Sequence, residues 1–315
     1  MAPPGNQAAN RENKYQPIVS EETGLLDLRG EGRRRIVEIS VRPSKYLSPF
    51  ERGEVAMAEE NSLLFMLQAN VNPENEQGFD DWHNSYLRNL TKIPGCTWAN
   101  RYRVVRGDLK YMSLCQIEDA SYLPLVLGSD PENRHPIANA DLQKLNRLPG
   151  LRNLTMNVYE QIMGTPVGLP LFCSDRPISV VAVNVAPDKE ATWNHWYNTS
   201  HVPNLLRLPG YALGGRFRLL EHPELKWLNM KPKYAALYEL EGLAAIEVVG
   251  NREKMTPGHL AELQIWEKYT QFIISDLSWN IYKVVAKHWK FQQYLCFCWI
   301  VRSPLFYPCC GPHFQ

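Results

Sequence analysis

Apolar residues fall in short blocks along the first part of the chain, and each block has the length of one secondary-structure element. Residues 62–71 are apolar at most positions, which predicts a buried strand. Residues 77–91 carry acidic residues near their start and end before Pro94-Gly95, which predicts a helix. Residues 96–105 and 110–118 then predict the two strands of a hairpin.

The segment continues with a loop, a helix and a last strand. Residues 119–138 are rich in Gly, Pro and Asn and predict a loop, residues 139–147 predict a helix, and residues 153–163 predict a strand. The predicted order is therefore β-α-β-β-α-β. The later part of the chain repeats this order, with strands over 178–185, 211–220, 233–240 and 277–286, a helix across 193–210 and a helix over 257–272.

One stretch of sequence occurs twice. Residues 193–210, WNHWYNTSHVPNLLRLPG, have a divergent copy at residues 79–95, FDDWHNSYLRNLTKIPG, and an Arg-aromatic-Arg triplet follows each copy. The offset between the copies rises from 115 residues at Arg101 and Arg216 to 123 at Lys110 and Lys233, so the second copy holds eight extra residues between two strands. A hairpin tip tolerates such an insertion. The repeat predicts a tandem duplication of one unit.

A β-α-β-β-α-β unit folds as a ferredoxin-like, four-stranded antiparallel sheet with both helices on one face. Residues 178–185 are apolar on both sides of the strand, so the other face of the sheet must also be covered. Two units can cover each other by packing sheet to sheet. We therefore predict an α+β fold in which two ferredoxin-like units form an intramolecular α+β barrel, as a monomer with an internal pseudo-dimer or as a homodimer.

The repeat also predicts how the chain is divided. The residues after 288 have no counterpart at the end of the first unit, and the two copies are joined by a stretch rich in Gly and Pro. The predicted segments are a mostly disordered extension over 1–60 with one stray strand at 36–41, a degenerate first unit over 61–164, a linker over 165–175, a second unit over 176–288 that is expected to be the active one, and a Cys-rich and aromatic extension over 289–315.

Composition excludes several classes of partner. The chain has 315 residues, of which 44% are hydrophobic, and this is enough material for two cores. A formal net charge of +1 gives no electrostatic reason to bind nucleic acid or an anionic membrane. No apolar run approaches the roughly 18 residues of a membrane span, and the first residues do not form a signal peptide. We therefore expect a cytoplasmic protein.

Cysteine spacing and motif content give no support for a metal or a cofactor. Cys96, Cys115 and Cys173 are expected to be reduced core residues. Cys296, Cys298, Cys309 and Cys310 form only C-x-C and C-C pairs, which are weak patterns for a metal site. The sequence also lacks G-x-S-x-G, G-x-G-x-x-G, P-loop and H-E-x-x-H motifs. It therefore gives no motif evidence for the common types of hydrolysis, dinucleotide binding, phosphoryl transfer or zinc binding.

The repeated motif of the second unit resembles a known superfamily. The residues that carry the resemblance are Trp196-Tyr197, Ser200-His201-Val202-Pro203, Leu208-Pro209-Gly210-Tyr211, Arg216-Phe217-Arg218 and the run over 233–240. They are similar to the dimeric α+β barrel superfamily, and within it to the ethyl tert-butyl ether degradation protein and the antibiotic-biosynthesis monooxygenases. The resemblance covers roughly residues 62–288. It implies a cofactor-independent oxygenase, decarboxylase or cyclase of polyketide-like substrates, or a haem-binding relative.

His201 is the candidate general base. Pro203 removes a backbone donor inside the predicted helix, so the helix is expected to kink or restart near His201. The resemblance implies that this histidine faces the barrel mouth, where an imidazole with a pKa near ~6.5 can exchange a proton. The alternative is a capping or core histidine. In the first unit Tyr86 stands at this position, which predicts one working site per chain and a solvated role for His83.

Two arginines of the second unit are expected on one face of their strand. Arg216 and Arg218 alternate with a second set of side chains that take the opposite face. That set is Tyr211, Leu213, Phe217 and Leu219. Arg216 could bind a carboxylate or phenolate of a substrate, and it is the second candidate catalytic residue. The alternative, which the sequence favours, is pairing with Glu239 or Glu241.

Aromatic residues are the candidate substrate-binding groups. Their number suits a pocket for a flat apolar ligand, although aromatic residues are also ordinary core material. They are Trp196, Tyr197, Tyr234, Tyr238, Trp279 and Tyr282 in the second unit and Trp82 and Tyr86 in the first.

These residues lead to one principal functional hypothesis and three alternatives. The principal hypothesis is a cofactor-independent monooxygenase of secondary metabolism, in which His201 deprotonates a hydrophobic polyketide, phenolic or terpenoid intermediate and the carbanion reacts with O₂. A decarboxylase or cyclase would use the same anion. The second alternative is a non-catalytic ligand-binding or stress-response barrel. The third alternative is a protein that binds haem through a histidine.

Overall fold

The strands predicted from the apolar runs close into one barrel. The computed structural model describes residues 62–168, 171–228 and 231–290. Every neighbouring pair of strands is antiparallel, and the closed order is β1-β3-β2-β8-β5-β7-β6-β4. The strands are β1 Leu63–Val71, β2 Cys96–Arg106, β3 Tyr111–Ile117, β4 Leu151–Gly164, β5 Ile178–Val185, β6 Tyr211–Leu219, β7 Tyr234–Leu240 and β8 Ile274–Trp289.

Helices cover the outer surface of this barrel. The described residues form α1 Glu76–Leu90, α2 Leu123–Leu127, α3 Pro136–Leu145, α4 Glu190–Trp196, α5 Val202–Leu205, α6 Leu243–Gly250 and α7 Pro257–Thr270. A π-helical turn, Tyr197–His201, joins α4 to α5. Proline stands in the first turn of α3, α5 and α7, where a missing N–H costs nothing. The Thr256 side chain caps α7 by accepting a hydrogen bond from the His259 N–H.

The barrel has two halves with the same strand order. The first half, β1 to β4, is arranged β4-β1-β3-β2, and the second half, β5 to β8, is arranged β8-β5-β7-β6. The halves meet along two seams, where β2 pairs with β8 and β4 pairs with β6. The predicted α+β fold with a closed antiparallel barrel is therefore confirmed, whereas the predicted division into duplicated units stays a prediction.

The two faces of each strand pack into separate cores. Leu64, Met66 and Phe217 belong to a cluster that fills the barrel interior, together with side chains from all eight strands. Leu63 and Phe65 belong to an outer cluster under the helices of the first half. Strands β1, β3, β5 and β7 are therefore buried on both faces, which explains why their sequence segments are mostly apolar.

The segment between the halves closes one end of the barrel. Val167, Leu171 and Phe172 of the predicted linker are buried in the interior cluster. The Phe172 carbonyl accepts a hydrogen bond of 2.8 Å from Asn100 Nδ2. The Phe172 N–H donates one of 2.5 Å to the carboxylate of Glu239. These bonds satisfy polar groups that the barrel interior would otherwise leave unpaired.

Two helices and part of a strand were not predicted. The predicted loop over 119–138 contains α2 and the start of α3, because proline is tolerated in the first turn of a helix and does not mark a loop there. The helix α6 also lies in a region for which the sequence predicted no element, and its Ala245, Ile246 and Val249 are buried. Strand β8 extends beyond the predicted 277–286 at both ends because it pairs with β5 and then with β2.

No helix within the described ranges is long and apolar enough to cross a membrane. Cys96 and Cys115 are buried thiols of the outer cluster, as predicted. The predicted strand at 36–41 and the four C-terminal cysteines lie outside the described residues.

Replacing Phe172 by Ala tests the role of the closing segment. Phe172 is 1% exposed, and the loss of its buried ring should reduce the free energy of unfolding by about 3–5 kcal/mol. The matched control is Phe272→Ala, because Phe272 is 92% exposed and its loss should cost less than about 0.5 kcal/mol. Urea unfolding followed by fluorescence measures both. Equal effects of the two substitutions would show that the segment does not close the barrel.

Candidate active site

The π-helical turn follows from one extra residue in the second copy of the repeat. Residues 79–95 contain one residue fewer than residues 193–210, and α1 runs through the first copy as a regular helix. In the second copy the extra residue is accommodated by the π-helical turn Tyr197–His201, and α5 begins beside Pro203. The predicted restart of the helix near His201 is therefore confirmed. Such turns are frequent at functional sites because they shift the side chains that follow them.

His201 is paired with a carboxylate from a distant helix. Its side chain is 5% exposed, and its Nδ1 lies 2.7 Å from Oε1 of Glu262 on α7. Asn204 Nδ2 donates a hydrogen bond of 3.3 Å to the other oxygen of Glu262. A carboxylate at Nδ1 favours the tautomer with the proton on that nitrogen, which leaves the lone pair on Nε2 available. Within the described residues Nε2 has no hydrogen-bond partner.

The surroundings keep the imidazole of His201 uncharged. Burial lowers the pKa of His201 below its ordinary value, the hydrogen bond and charge of Glu262 oppose that effect, and the charge of Arg216 adds to it. The ring stacks on Trp196 at 5.1 Å between centroids and meets the edge of Tyr197 at 4.6 Å. The site therefore presents a neutral base in apolar surroundings near pH 7.

Arg216 is fully buried beside this pair. Its Nη1 donates to Asn198 Oδ1 and to the Asn194 carbonyl, and its Nη2 donates a bond of 2.8 Å to Asn194 Oδ1. The guanidinium also lies over the rings of Tyr197 at 4.3 Å and Trp193 at 4.6 Å. Burial lowers the pKa of Arg216. In the part of the chain that the structure describes, no carboxylate pairs with it.

The predicted partners of the arginines were wrong. Arg216 lies opposite Ala236 on the outer face of the sheet, whereas Glu239 points to the inner face, where Arg176 and the Phe172 N–H contact it. Glu241 accepts a hydrogen bond from the Gly210 N–H instead. Arg218 is the arginine that pairs with a carboxylate, that of Glu160 at 2.7 Å across the seam between β6 and β4.

A β-bulge moves Tyr211 to the same side as Arg216. The register of β6 against β7 shifts between Tyr211 and Leu213, so strict alternation fails there. Tyr211 packs outside the barrel against Tyr238 and His259, and its predicted position on the opposite face was wrong. The other three members of its predicted set, Leu213, Phe217 and Leu219, face the interior as predicted.

The site lies outside the barrel, between the sheet of the second half and its helices. His201 contacts Trp196 and Tyr197, and these belong to the outer cluster that also holds Tyr234 and Tyr238. The expectation that His201 faces the barrel mouth was therefore wrong, because the interior is filled with side chains and closed by Phe172. We call this outer group the His201 cluster: Trp193, Asn194, Trp196, Tyr197, Asn198, His201, Arg216, Tyr234, Tyr238 and Glu262.

The remaining predicted aromatic residues lie elsewhere. Tyr282 is inside the barrel, where its hydroxyl accepts a hydrogen bond of 2.9 Å from Gln68. Trp279 is 40% exposed and donates to the Ser179 hydroxyl. Trp82 and Tyr86 stack on each other in the outer cluster of the first half. The structure does not bring these four residues to His201.

The first half contains a related arrangement around Arg101. Arg101 forms an ion pair with Asp80, donates a hydrogen bond of 2.8 Å to Asn84 Oδ1 and donates one of 3.2 Å from Nε to His83 Nδ1. His83 is therefore fully buried, and the prediction that it is solvated was wrong. Burial first and the charge of Arg101 second hold the pKa of His83 well below its ordinary value.

An open groove lies next to the His201 cluster. It has a volume of about 480 Å³ and is lined by Trp266, Glu267, Lys268, Thr270, Gln271, Phe272 and Ile274. Trp266 also packs against the outer cluster that contains Tyr197. Tyr269, which is half exposed on the same helix, stacks on Trp196 at 4.3 Å between ring centroids. The side chains of α7 therefore separate the groove from His201. Within the described residues no group of His, Cys, Asp and Glu is arranged to hold a metal.

Comparison with solved structures shows the fold. An anthrone oxidase-like protein has a TM-score of 0.54 at 12% identity, over 74% of this chain and 95% of that one. A provisionally named monooxygenase from Fusobacterium nucleatum has a TM-score of 0.48 at 10% identity, over 73% of this chain and 95% of that one. Another, from Lactobacillus acidophilus, has a TM-score of 0.46 at 7% identity, over 73% of this chain and 97% of that one. No family model and no curated protein matches the sequence. The chain thus shares its barrel fold with the anthrone oxidase-like protein.

Titration of His201 by NMR tests the arrangement of the pair. Because burial lowers the pKa of His201 below 6.5, its midpoint should lie below that value, and the neutral base should persist above the midpoint. Glu262→Gln removes the charge that raises this pKa and should move the midpoint lower still. The control is Glu267→Gln, whose carboxylate pairs with Arg252 on the surface of the same helix and should have no effect. A midpoint that rises in Glu262→Gln would contradict the assignment.

Proposed function

We propose that the chain is a cofactor-independent monooxygenase that acts on a hydrophobic polyketide, phenolic or terpenoid intermediate. The observation that carries the proposal is the His201–Glu262 pair, which places a neutral imidazole with an available Nε2 lone pair among aromatic rings beside a buried arginine. A general base needs this combination of tautomer and protonation state.

The proposed reaction begins with removal of a proton from the substrate by Nε2 of His201. Glu262 stabilises the resulting imidazolium through Nδ1. Arg216 and the Tyr197 hydroxyl, whose pKa is raised by burial and which therefore stays protonated, can stabilise the enolate or phenolate. The carbanion then reduces O₂ to a hydroperoxide bonded to its carbon. Return of the proton and loss of water leave a carbonyl group, so one oxygen atom enters the product and the other leaves as water.

The groove supports a route by which the substrate reaches this base. Its apolar walls include Trp266, Phe272 and Ile274, and its volume lies within the range typical of small-molecule sites. Phe272 is almost fully exposed at its rim with a backbone φ of 69°, which is unusual for a bulky residue. A flat ligand in the groove lies against Trp266, and movement of α7 side chains would admit it to His201.

A decarboxylase or cyclase is the second candidate, and Arg216 is the observation that favours it. A buried guanidinium without a paired carboxylate suits a substrate that carries a carboxylate of its own. His201 would first take a proton from a hydroxyl group of the substrate, and the imidazolium formed in that step would then protonate the carbanion left after loss of CO₂. Monooxygenation and decarboxylation both pass through a substrate carbanion. The carbanion reacts with O₂ in the first reaction and is protonated in the second.

We also infer that the two halves are copies of one ferredoxin-like unit and that the second copy alone is active. Equivalent contacts support this inference, because Lys110 pairs with Glu76 as Lys233 pairs with Glu190. The stack of Trp82 on Tyr86 likewise corresponds to that of Trp196 on His201. Since both sheets of the barrel come from one chain, we propose a monomer with an internal pseudo-dimer that binds one small hydrophobic substrate.

Replacing His201 by Ala tests the proposed base. The rate of O₂ consumption with a panel of anthrone-like and phenolic substrates should fall by a factor on the order of 10² or more. The matched control is His195→Ala, because His195 is exposed in the same segment and should retain full activity. Circular dichroism would verify that both variants are folded. Full activity in His201→Ala would reject His201 as the base.

Turnover under ¹⁸O₂ separates the two candidate reactions. A monooxygenase places one labelled oxygen atom in the product and the other in water. Product without label, formed at a rate that depends on His201, would reject oxygenation and support the decarboxylase or cyclase.

A further inference from the structure

The two halves position a buried arginine in the same way but surround it with different groups. Arg101 and Arg216 are separated by the offset of the repeat and lie on equivalent strands, β2 and β6. Arg101 contacts Asp80, His83 and Asn84 of α1. Arg216 contacts Asn194, Tyr197 and Asn198 at the corresponding positions of α4 and the π-helical turn. Asn84 and Asn198 correspond and are the same residue type. The other two pairs differ: Asp80 corresponds to Asn194, and His83 corresponds to Tyr197.

One difference removes the negative charge beside the arginine of the second half, and the other replaces the residue that accepts the Nε hydrogen in the first half. Asn194 replaces the carboxylate of Asp80, so the ion pair is lost and a neutral amide oxygen remains. Tyr197 replaces His83, which accepts the Nε hydrogen of Arg101, and offers the face of its ring instead. Arg216 keeps its hydrogen bonds to Asn194 and Asn198, but no carboxylate among the described residues pairs with it.

This arrangement is costly unless a negative charge completes it. Arg216 has no measurable exposure, and a buried cation without an anion loses its hydration without a compensating ion pair. The rings of Trp193, Tyr197 and Tyr234 offset part of that cost through cation–π contact. In the first half Asp80 supplies the charge, so that half needs no ligand.

We propose that Asn194 determines specificity because it leaves the charge of Arg216 without a carboxylate partner, so that a carboxylate group on the substrate pairs with Arg216 as Asp80 pairs with Arg101. This inference rests on the proposed function and deepens it, because it assigns the substrate to the aromatic carboxylates. The carboxylate accepts from Arg216, and the aromatic part of the ligand packs against the rings of the His201 cluster. The first half binds no such ligand, so the stoichiometry is one per chain.

Calorimetric titration of the full chain with anthraquinone-2-carboxylate and with its uncharged carboxamide tests this inference. The wild-type chain should bind one carboxylate and prefer it to the carboxamide by about tenfold or more. Asn194→Asp places a carboxylate beside Arg216, as Asp80 stands beside Arg101, and should remove this preference. The matched control is Asp80→Asn, which changes the same group in the other half and should leave binding in the second half unaltered.

Two further variants keep the test decisive. If Asn194→Asp does not fold, Arg216→Gln removes the cation and should make the carboxylate and the carboxamide bind equally. His201→Gln should retain the preference for the carboxylate even where turnover is lost, so failure of the proposed catalysis and failure of this inference give different results. Equal affinity of the wild-type chain for both compounds, or an unchanged preference in Asn194→Asp, would overturn the proposal.

Discussion

The closed barrel with a filled interior is the constraint on which the rest of the structure depends. Closure removes the edges of both sheets, because β2 pairs with β8 and β4 pairs with β6. The interior is packed with side chains and closed at one end by Phe172. The polar groups around Arg101 and Arg216 lie instead on the outer face of the sheet, where helices bury them. The His201 cluster and the group around Arg101 both lie in that layer.

Small sequence differences in this shared layer give the two halves different properties. One added residue produces the π-helical turn and places His201, rather than a tyrosine, beside the stacked tryptophan. The exchange of Asp80 for Asn194 leaves a buried cation unpaired, and Glu262 supplies an acceptor for His201 from α7. In the first half the arginine is neutralised by the chain itself. The same framework thus holds a buried ion pair in the first half, and in the second half it holds a buried base beside an arginine that has no carboxylate partner.

The fold could be predicted largely from the sequence, because its determinants are local. The positions of all eight strands could be predicted from three features of the sequence. These are apolar runs of strand length, Pro-Gly at helix ends and the repeated Arg-aromatic-Arg triplet. The candidate site was predicted less well because its contacts are distant in sequence. Glu262 is 61 residues from His201, and no motif marks it. The bulge that turns Tyr211 outward and the burial of His83 against Arg101 depend on register and packing, and residue type alone does not reveal either.

A crystal structure with a bound aromatic ligand tests most directly whether the functional site lies in the outer layer of the second half. The ring should lie between the outer face of β6 and β7 and the helices α4 and α7. An oxygen of the ligand should be roughly 3 Å from a nitrogen of Arg216, and a proton-bearing atom should face Nε2 of His201. Density for the ligand inside the barrel beside Leu64 and Phe217, or on Arg101 in the first half, would contradict this account.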